Sequence, residues 1–594
     1  MNFFVAFWDV LRSQPSRALA ALYWHVTGRK VRARNRLRVG LAKSLDVYKH
    51  WVALVERGNV TAADAETTMA AWPYRPVFSI LVHQGADLDQ IALKTLMQAL
   101  HAQWYPRWEL IIVPSPEGPP LAPDHAERIC IAGPASADGG EALRIASLCA
   151  SGDHLLPLPR GAALPPTALF RYAEALQPEP MADLLFGDHD EVDRFGIRHR
   201  PWFKPQWNAE LALAQDYLSQ AAVVSARAAR RALDEVPTGD RAAPYALALA
   251  IASRDDAVVR HVGHIQAHLD AATALSSTAE RTAVVRHHLR QGGVEDVHVS
   301  EGAHGTVRVD WPLPIPRPLV SIIIPTRDKI ELLRACLGGL FSLTTYRPFE
   351  ILIIDNGSVR ADSLAYLDEC ARRDDVSVIR DSRPYNFSQL NNLAVASARG
   401  DYLCLLNNDT EVIDGDWLTA MMRQAVRPQV GAVGARLLYD DGSIQHAGVT
   451  IGLGEAAGHS HRFQKPDALG YFARAATAHY VSAVTAACLV VEKRKFLAVG
   501  GLDEEGFAIA FNDVDLCLKL QRAGWRNLYT PHATLLHHES KSRGKDFSPR
   551  HIERYMRELH TLQDRWGTRD YADPLHHPRL DRSQEEYLLR LEDL

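Results

Sequence analysis

Three short apolar runs in the second half of this 594-residue chain each end in a cluster of acids and amides. Residues 320–324 lead into Pro325-Thr326-Arg327-Asp328, and residues 350–354 into Asp355-Asn356-Gly357-Ser358. Residues 402–406 lead into Asn407-Asn408-Asp409-Thr410. Singly, each cluster reads as a helix cap, a turn or a loop. Three clusters ending three buried strands read together as a ligand site, because open α/β sheets bind ligands at the carboxyl ends of their strands. The glycine-rich alternatives are missing: no G-x-G-x-x-G follows a strand, and no G-x-x-x-x-G-K-[ST] occurs. A nucleotide held by acids needs a cation over its phosphates. Mg²⁺ or Mn²⁺ would take oxygen ligands there and bridge a diphosphate.

The elements that must position these clusters follow from periodicity. Short continuous apolar runs mark strands buried on both faces of a parallel sheet. Between the first two runs, Leu333, Cys336, Leu337 and Leu340 fall at helical spacing, and Asp328 with Glu331 brackets the helix start like a capping box. Strand, helix and strand in this order build a βαβ unit, hence an α/β sheet. The same pattern occurs earlier. Arg75-Pro76-Val77-Phe78-Ser79 matches Arg317-Pro318-Leu319-Val320-Ser321, and Gly152-Asp153 echoes Gly400-Asp401. The chain therefore reads as a duplicated domain with a proline-rich linker at 311–318. Expected boundaries are a helical extension over 1–70, a first copy over 71–305 and a second over 306–594 with a helical tail.

Composition bounds the reading. The net charge of −5 is small for this length and leaves no nucleic-acid footprint. Seven scattered cysteines with no CxxC pair fit a reducing compartment, so a cytoplasmic location is expected. No run reaches the ~18 uncharged apolar residues that span a bilayer. The apolar start at residues 3–8, followed by the basic run 29–38, suits the cytoplasmic face of an anionic membrane. A solvated helix packed on its own domain is the equal alternative.

The clusters, together with Phe511-Asn512-Asp513-Val514-Asp515 and His537-His538-Glu539-Ser540, resemble the successive motifs of family 2 glycosyltransferases. These are GT-A enzymes, often rhamnosyltransferase-like, that build bacterial surface polysaccharides. The resemblance covers nearly the whole second copy, about residues 318–544, in the right order. It implies two tandem GT-A-like, Rossmann-like domains with mostly parallel sheets. It further implies an inverting, metal-dependent transfer from a nucleotide-diphosphate sugar, with deoxythymidine-diphosphate rhamnose the first guess. The acceptor would be a saccharide or lipid-linked saccharide. Thr326, Asp328 and Asp355 would hold the base and ribose. Asp409 would carry the metal as the last residue of the family's D-x-D element, which here reads Asn407-Asn408-Asp409 and lacks the first carboxylate. Asn391 and Asn392 match a polar position near the diphosphate.

By the same resemblance, Asp513 would be the catalytic base, with Asn512 where the family usually has an acid. A sugar hydroxyl is a poor nucleophile, and attack opposite the leaving group requires such a base. The competing reading of Asp513 is an ordinary acid in the first turn of a helix. His537 would complete the metal shell, with His538 as its competitor. Gln445-His446-Ala447-Gly448 and His459-Ser460-His461 are candidates for an acceptor groove or for ordinary loop packing.

The first copy keeps the strands and loses the motifs. Alignment puts Ala86 at Asp328, Pro114 at Asp355, Pro159-Arg160-Gly161 at Asn407-Asn408-Asp409, and, with His268 at His537, Pro244 near Asp513. A catalytically dead first copy is expected. Asp188-His189-Asp190-Glu191 imitates a metal motif there, but its later position reads as a solvated turn. Two other functions stay open: a nucleotidyltransferase making nucleotide sugars, and a non-catalytic carbohydrate-binding scaffold.

Overall fold

The computed structural model describes residues 7–8, 10–12, 14–27, 33, 37, 40–41, 47–56, 60–84, 88–121, 128–133, 136–159, 161–237, 242–270, 276–538 and 549–590. Ala86, Arg160, Glu539, Ser540 and most of the apolar and basic runs near the N-terminus lie outside them. Two compact units result: Met1–Glu295 with His577–Asp581 and Leu588–Leu594, and Asp296–His576 with Arg582–Tyr587. The boundary thus falls before the proline-rich stretch, because Trp311 belongs to the second unit. Its carbonyl accepts from Arg423 (2.6 Å), and the Arg427 guanidinium lies over its ring at 4.0 Å. Two short C-terminal segments also leave the expected 306–594 domain for the first unit.

The first unit contains β1 (Phe78–His83), β2 (Trp108–Val113), β3 (Ile129–Ile131), β4 (His154–Pro157), β5 (Ala162–Ala163), β6 (Leu184–Val192), β7 (Arg198–Trp202), β8 (Ala222–Ser225) and β9 (Val259–Leu269). The second opens with a hairpin of β10 (His298–Glu301) and β11 (Val307–Asp310). Then follow β12 (Val320–Thr326), β13 (Phe349–Asp355), β14 (Val376–Arg380), β15 (Tyr402–Leu406), β16 (Thr410–Val412), β17 (Val430–Leu438) and β18 (Ile444–His446). Next come β19 (Val449–Ile451), β20 (Ala457–His459), β21 (His479–Val481), β22 (Cys488–Glu492) and β23 (Arg526–His537).

The two large sheets share one topology. The first runs β3-β2-β1-β4-β8-β6-β9-β5, and the second β14-β13-β12-β15-β22-β17-β23-β16. One side pairing also matches, β7 on β6 and β18 on β17, while the second sheet adds β21 on β23. The parallel half is β3-β2-β1-β4 or β14-β13-β12-β15. Strands β8 and β22 are reversed, each antiparallel to both neighbours, and beyond them β6 with β9 and β17 with β23 pair in parallel again. Both units are α/β, as the strand–helix alternation requires.

The duplication extends to single hydrogen bonds at the starting edge of the strands. In the first unit the Ser79 hydroxyl donates to Glu109 Oε1 (2.6 Å) and accepts from Gly152 N–H (3.0 Å), while Ser151 N–H donates to the same carboxylate (2.7 Å). In the second, Ser321 donates to Glu350 Oε1 (2.6 Å) and accepts from Gly400 N–H (2.8 Å), while Arg399 N–H donates to Glu350 (2.7 Å). Glycine is required at both places, because an added Cβ would lie 2.5 Å from Ser79 Oγ at Gly152 and 2.7 Å from Leu319 O at Gly400. Tyr105 and Tyr346 close the pattern by donating to the carbonyls of Pro76 (2.7 Å) and Pro318 (2.8 Å).

The cores follow from the apolar runs. Ile322, Ile323, Ile324, Ile351, Ile353 and Leu403 are fully buried, and each unit has its own cluster of this kind. No helix among the described residues is long and apolar enough to cross a membrane.

Candidate active site

The carboxyl ends of β12, β13 and β15 lie side by side in the second unit, as parallel register demands. Thr326 pairs with Asp355 across β12 and β13. Thr326 Oγ1 accepts from the Asn408 amide (3.0 Å), which ties the end of β12 to the loop after β15. Asp355 is buried and accepts from Ser358 N–H (2.9 Å), and Ser358 Oγ accepts from Asp328 N–H (2.8 Å). Thr326, Asn408, Asp355 and Asp328 are thus brought to one edge.

Asp328 does not cap the helix Ile330–Ser342. That helix starts at Lys329 without a side-chain cap, so the expected capping box is absent. Asp328 and Lys329 both take left-handed backbone (φ 50° and 54°). This turns the Asp328 carboxylate toward Val359 and Arg360, whose N–H groups donate to it at 3.0 Å each, ahead of the helix Ala361–Cys370. Asn392 is also engaged elsewhere. Its oxygen accepts from Leu502 N–H (3.1 Å), and its amide donates to Leu502 O (2.8 Å) and Glu504 (2.9 Å), bracing residues 502–504.

Asp409 follows β15 and is 4% exposed. Its Oδ1 lies 3.2 Å from His537 Nε2, at the end of β23, because β16 pairs with β23 and sets Thr410 opposite His537. The other face of that imidazole meets Gln445 Oε1 at 2.6 Å from Nδ1, and the Asn407 amide lies 3.2 Å from Nε2. His538 points elsewhere. Its ring nitrogens face two carboxylates, Nε2 toward Glu411 (3.0 Å) and Nδ1 toward Asp440.

Asp513 occupies the first turn of the helix Asn512–Arg522, after Phe511 in left-handed backbone (φ 59°). Its Oδ2 accepts from Ala486 N–H (3.0 Å) and its Oδ1 from Val514 N–H (2.9 Å). Desolvation pushes its carboxyl above the ordinary aspartate range, against the pull of these bonds and of Thr485. The next residue after Ala486 reaches the metal-side loop, since Ala487 O accepts from Asn407 N–H (3.0 Å). Residues 485–487 therefore connect Asp513 to the Asp409 loop. Asp515 is a strut: fully buried, it accepts from Arg565 (3.0 Å) and Trp566 (3.0 Å) of the helix Pro549–Trp566 and pairs with Lys519.

The donor set at Asp409 and His537 fits a divalent cation. A buried carboxylate oxygen, Asp409 Oδ1, and an imidazole nitrogen, His537 Nε2, lie side by side at 3.2 Å with the Asn407 amide next to them, an oxygen and a nitrogen donor for one ion. In the first unit the sheet register puts Ala162 opposite Leu269, where Thr410 faces His537. Leu269, not His268, is the counterpart of His537, and Gly161 stands where Asp409 does.

Asp188-His189-Asp190-Glu191 is no solvated turn. It lies within β6, with Asp188 and Asp190 fully buried. Asp190 is held by Arg198 (2.6 Å), Tyr48 (2.5 Å) and His268 (2.6 Å). Donor atoms of Asp188, His261 and His577 lie within 4.8 Å of one another, close enough to share a metal ion. Their protonation does not fit one. His577 Nδ1 accepts from Arg579 N–H (3.0 Å), so the proton of the neutral ring sits on Nε2, the atom that faces Asp188. The buried Lys204 is also close enough to be held by the Asp188 charge, and burial pulls its ammonium down to about 8.

Comparison with known proteins supplies the family. The glycosyl transferase family 2 model matches residues 321–486. An uncharacterized protein of Sinorhizobium fredii is 37% identical over 86% of this chain, and the O-antigen biosynthesis protein RfbC of Myxococcus xanthus 32% over 85%. The chain spans only 58% and 40% of their respective lengths. The N-acetylglucosaminyl-diphospho-decaprenol L-rhamnosyltransferase of Mycobacterium tuberculosis is 27% identical over 39% of this chain and 78% of its own. A solved mannosyltransferase of Pyrobaculum calidifontis, in complex with GDP-Man and Mn²⁺, aligns over 45% of this chain and 69% of its own, with 16% identity and a TM-score of 0.33. Residues 321–486 of the second unit thus form a glycosyl transferase family 2 domain that carries Thr326, Asp355 and Asp409, while Asp513 and His537 lie beyond the matched residues.

Proposed function

We propose that the second unit transfers a sugar from a nucleotide diphosphate to a hydroxyl acceptor, with inversion, and that the first unit is a non-catalytic relative of it. The observation that carries this reading is the Asp409–His537 pair at 3.2 Å, whose loop is tied to Thr326 through Asn408 and to Asp513 through Asn407 and residues 486–487. Thr326 and Asp355 hold the nucleoside end of the donor, and Asn408 steadies the loop between them and the diphosphate. The carboxylates at this edge repel a diphosphate unless a cation neutralises it. A Mn²⁺ or Mg²⁺ held by Asp409 and His537 would supply that charge and stabilise the leaving diphosphate. Asp513 accepts the proton of the acceptor hydroxyl as it attacks the anomeric carbon from the opposite side. A carboxyl raised above the ordinary range is the better base for it, being closer to the working pH.

The inactive first unit follows from substitution at every one of these places. Pro114, Gly161 and Leu269 stand for Asp355, Asp409 and His537, and Pro244, the second residue of the helix Ala243–Ala252, stands where Asp513 is second in the helix Asn512–Arg522. The chain would act in the cytoplasm on a saccharide or lipid-linked saccharide of surface-polysaccharide synthesis, the process named for the Myxococcus relative. Exposed Leu19, Tyr23 and Val26 on the helix Pro15–Val26, next to the basic run 29–38, support peripheral membrane contact. The test offers purified protein a panel of nucleotide sugars with Mn²⁺ and acceptor. Release of nucleoside diphosphate with a glycosylated acceptor is expected. Pyrophosphate would indicate a nucleotidyltransferase, and no turnover across the panel a scaffold.

A further inference from the structure

We infer that Gln445 is a positioning residue for the metal: it fixes His537 as the Nδ1–H tautomer and aims the Nε2 lone pair at the cation beside Asp409. The inference rests on the metal reading of Asp409 and His537 given above. Its basis is a pair of contacts on opposite sides of one imidazole. On one side Gln445 Oε1, an acceptor, lies 2.6 Å from Nδ1. On the other, the Asn407 Nδ2, a donor, lies 3.2 Å from Nε2. Nε2 also lies 3.2 Å from Asp409 Oδ1, across the place the cation takes, and with Nε2 turned to that cation the acceptor at Nδ1 is satisfied only when the proton sits on Nδ1. The opposite tautomer would set lone pair against lone pair at Gln445 and turn an N–H, toward Asp409 and the Asn407 amide, where the cation needs a lone pair.

Gln445 is itself rigidly held. It is 4% exposed, at the middle of β18, between Ile444 and His446, which are fully buried. Ile444 exchanges backbone hydrogen bonds with the 463–464 segment, donating to Gln464 O (2.8 Å) and accepting from Phe463 N–H (2.7 Å). β18 is anchored on β17 with His446 opposite Leu437, and β17 is paired in turn with β23, the strand that ends at His537. The amide therefore reaches the imidazole from a strand of the same sheet, joined to β23 through β17, rather than from a loop. A metal-bound histidine needs its second nitrogen held in this way, because the hydrogen bond orients the ring and raises its basicity. Asn407 has the complementary part. With an amide in place of the family's first carboxylate, it donates to Nε2, a contact that an arriving cation replaces.

The test titrates Mn²⁺ into the full chain, alone and with uridine diphosphate, reading free Mn²⁺ by electron paramagnetic resonance. Gln445→Leu is expected to weaken Mn²⁺ about 10–100-fold, the usual worth of such an outer partner. Gln445→Glu keeps an acceptor oxygen and is expected to stay within a few-fold of wild type. Adding Gln445→Leu to His537→Ala should cost nothing further, since both act through one imidazole. The ¹⁵N spectrum of histidine-labelled protein, with His537 identified by its loss in His537→Ala, should report Nδ1–H in wild type and shift toward Nε2–H in Gln445→Leu. This readout needs no metal and separates positioning from general damage to the fold. Wild-type affinity in Gln445→Leu alongside weak binding in His537→Ala overturns the inference and leaves the metal reading standing. Equal affinity in wild type, Asp409→Ala and His537→Ala overturns the metal reading and the inference with it.

Discussion

Replacing Asp513 by Asn removes the proposed base at almost constant volume, but it is not structurally silent. Both carboxylate oxygens accept from the backbone, Oδ2 from Ala486 and Oδ1 from Val514. An Asn side chain must aim its NH₂ at one of these N–H groups and leave that donor unsatisfied, at a cost of about 1–3 kcal/mol. Part of this is offset because a neutral amide is cheaper to desolvate than a carboxylate. Loss of general base catalysis lowers turnover by about 10²–10⁴, or roughly 3–5 kcal/mol of barrier. The two effects separate by assay. Stability is read from the urea midpoint, and turnover from nucleoside diphosphate released at saturating donor, well below the melting temperature. The pH profile adds a second signature. Asp513 works only when ionised, so activity should fall as pH drops through a value above the usual aspartate range, since its carboxyl is raised. That acid limb should be missing from the residual activity of the Asn variant. A folded Asp513→Asn protein within a few-fold of wild-type turnover would refute the assignment.

Chelation should abolish transfer and Mn²⁺ or Mg²⁺ restore it; Asp409→Ala should behave like permanent chelation and His537→Ala more mildly, read as initial rates against metal concentration. Calorimetric titration with a turned-over donor should give one site per chain, lost in Asp355→Ala, whereas two equivalent sites would show a live first unit. Stability should fall as pH drops below about 6.5, because burial lowers His154, His264 and His532 to about 4 and His479 to about 3. Unfolding lets these rings take protons that the folded chain refuses, so the loss grows down to about pH 4, by up to ~1.4 kcal/mol per pH unit for each. A urea midpoint unchanged from pH 7.5 to 5 would contradict it.

How much of this was legible in the sequence depends on the distance between partners. The apolar runs that became β12, β13 and β15 are local signals, and parallel register then sets their polar ends side by side without further information. The duplication was legible from the repeated serine and glycine that help to brace each sheet. The reversal of β8 and β22 was not, because a buried run of valines and leucines reads the same in either direction. Asp188 looked solvated because its partners, His261 and His577, lie far along the chain. Gln445 stood in a stretch flagged for the acceptor, and only the pairing of β17 with β23 brings it to His537. The misplaced capping box at Asp328 has the same origin. Nothing local announces that two successive residues adopt left-handed backbone and swing the carboxylate away.

The serine–glutamate–glycine brace sits at the starting edge of the strands, opposite the edge where ligands gather. What holds the sheet closed and what performs chemistry are therefore written in separate parts of the text. The first unit carries Pro114, Gly161 and Leu269 where the second has Asp355, Asp409 and His537, and keeps the same brace. In the engineer's sense it is a chassis: loops grafted after its strands, from those that follow β12, β13 and β15, would meet none of the bonds of the brace, which lie at the other end of the strands.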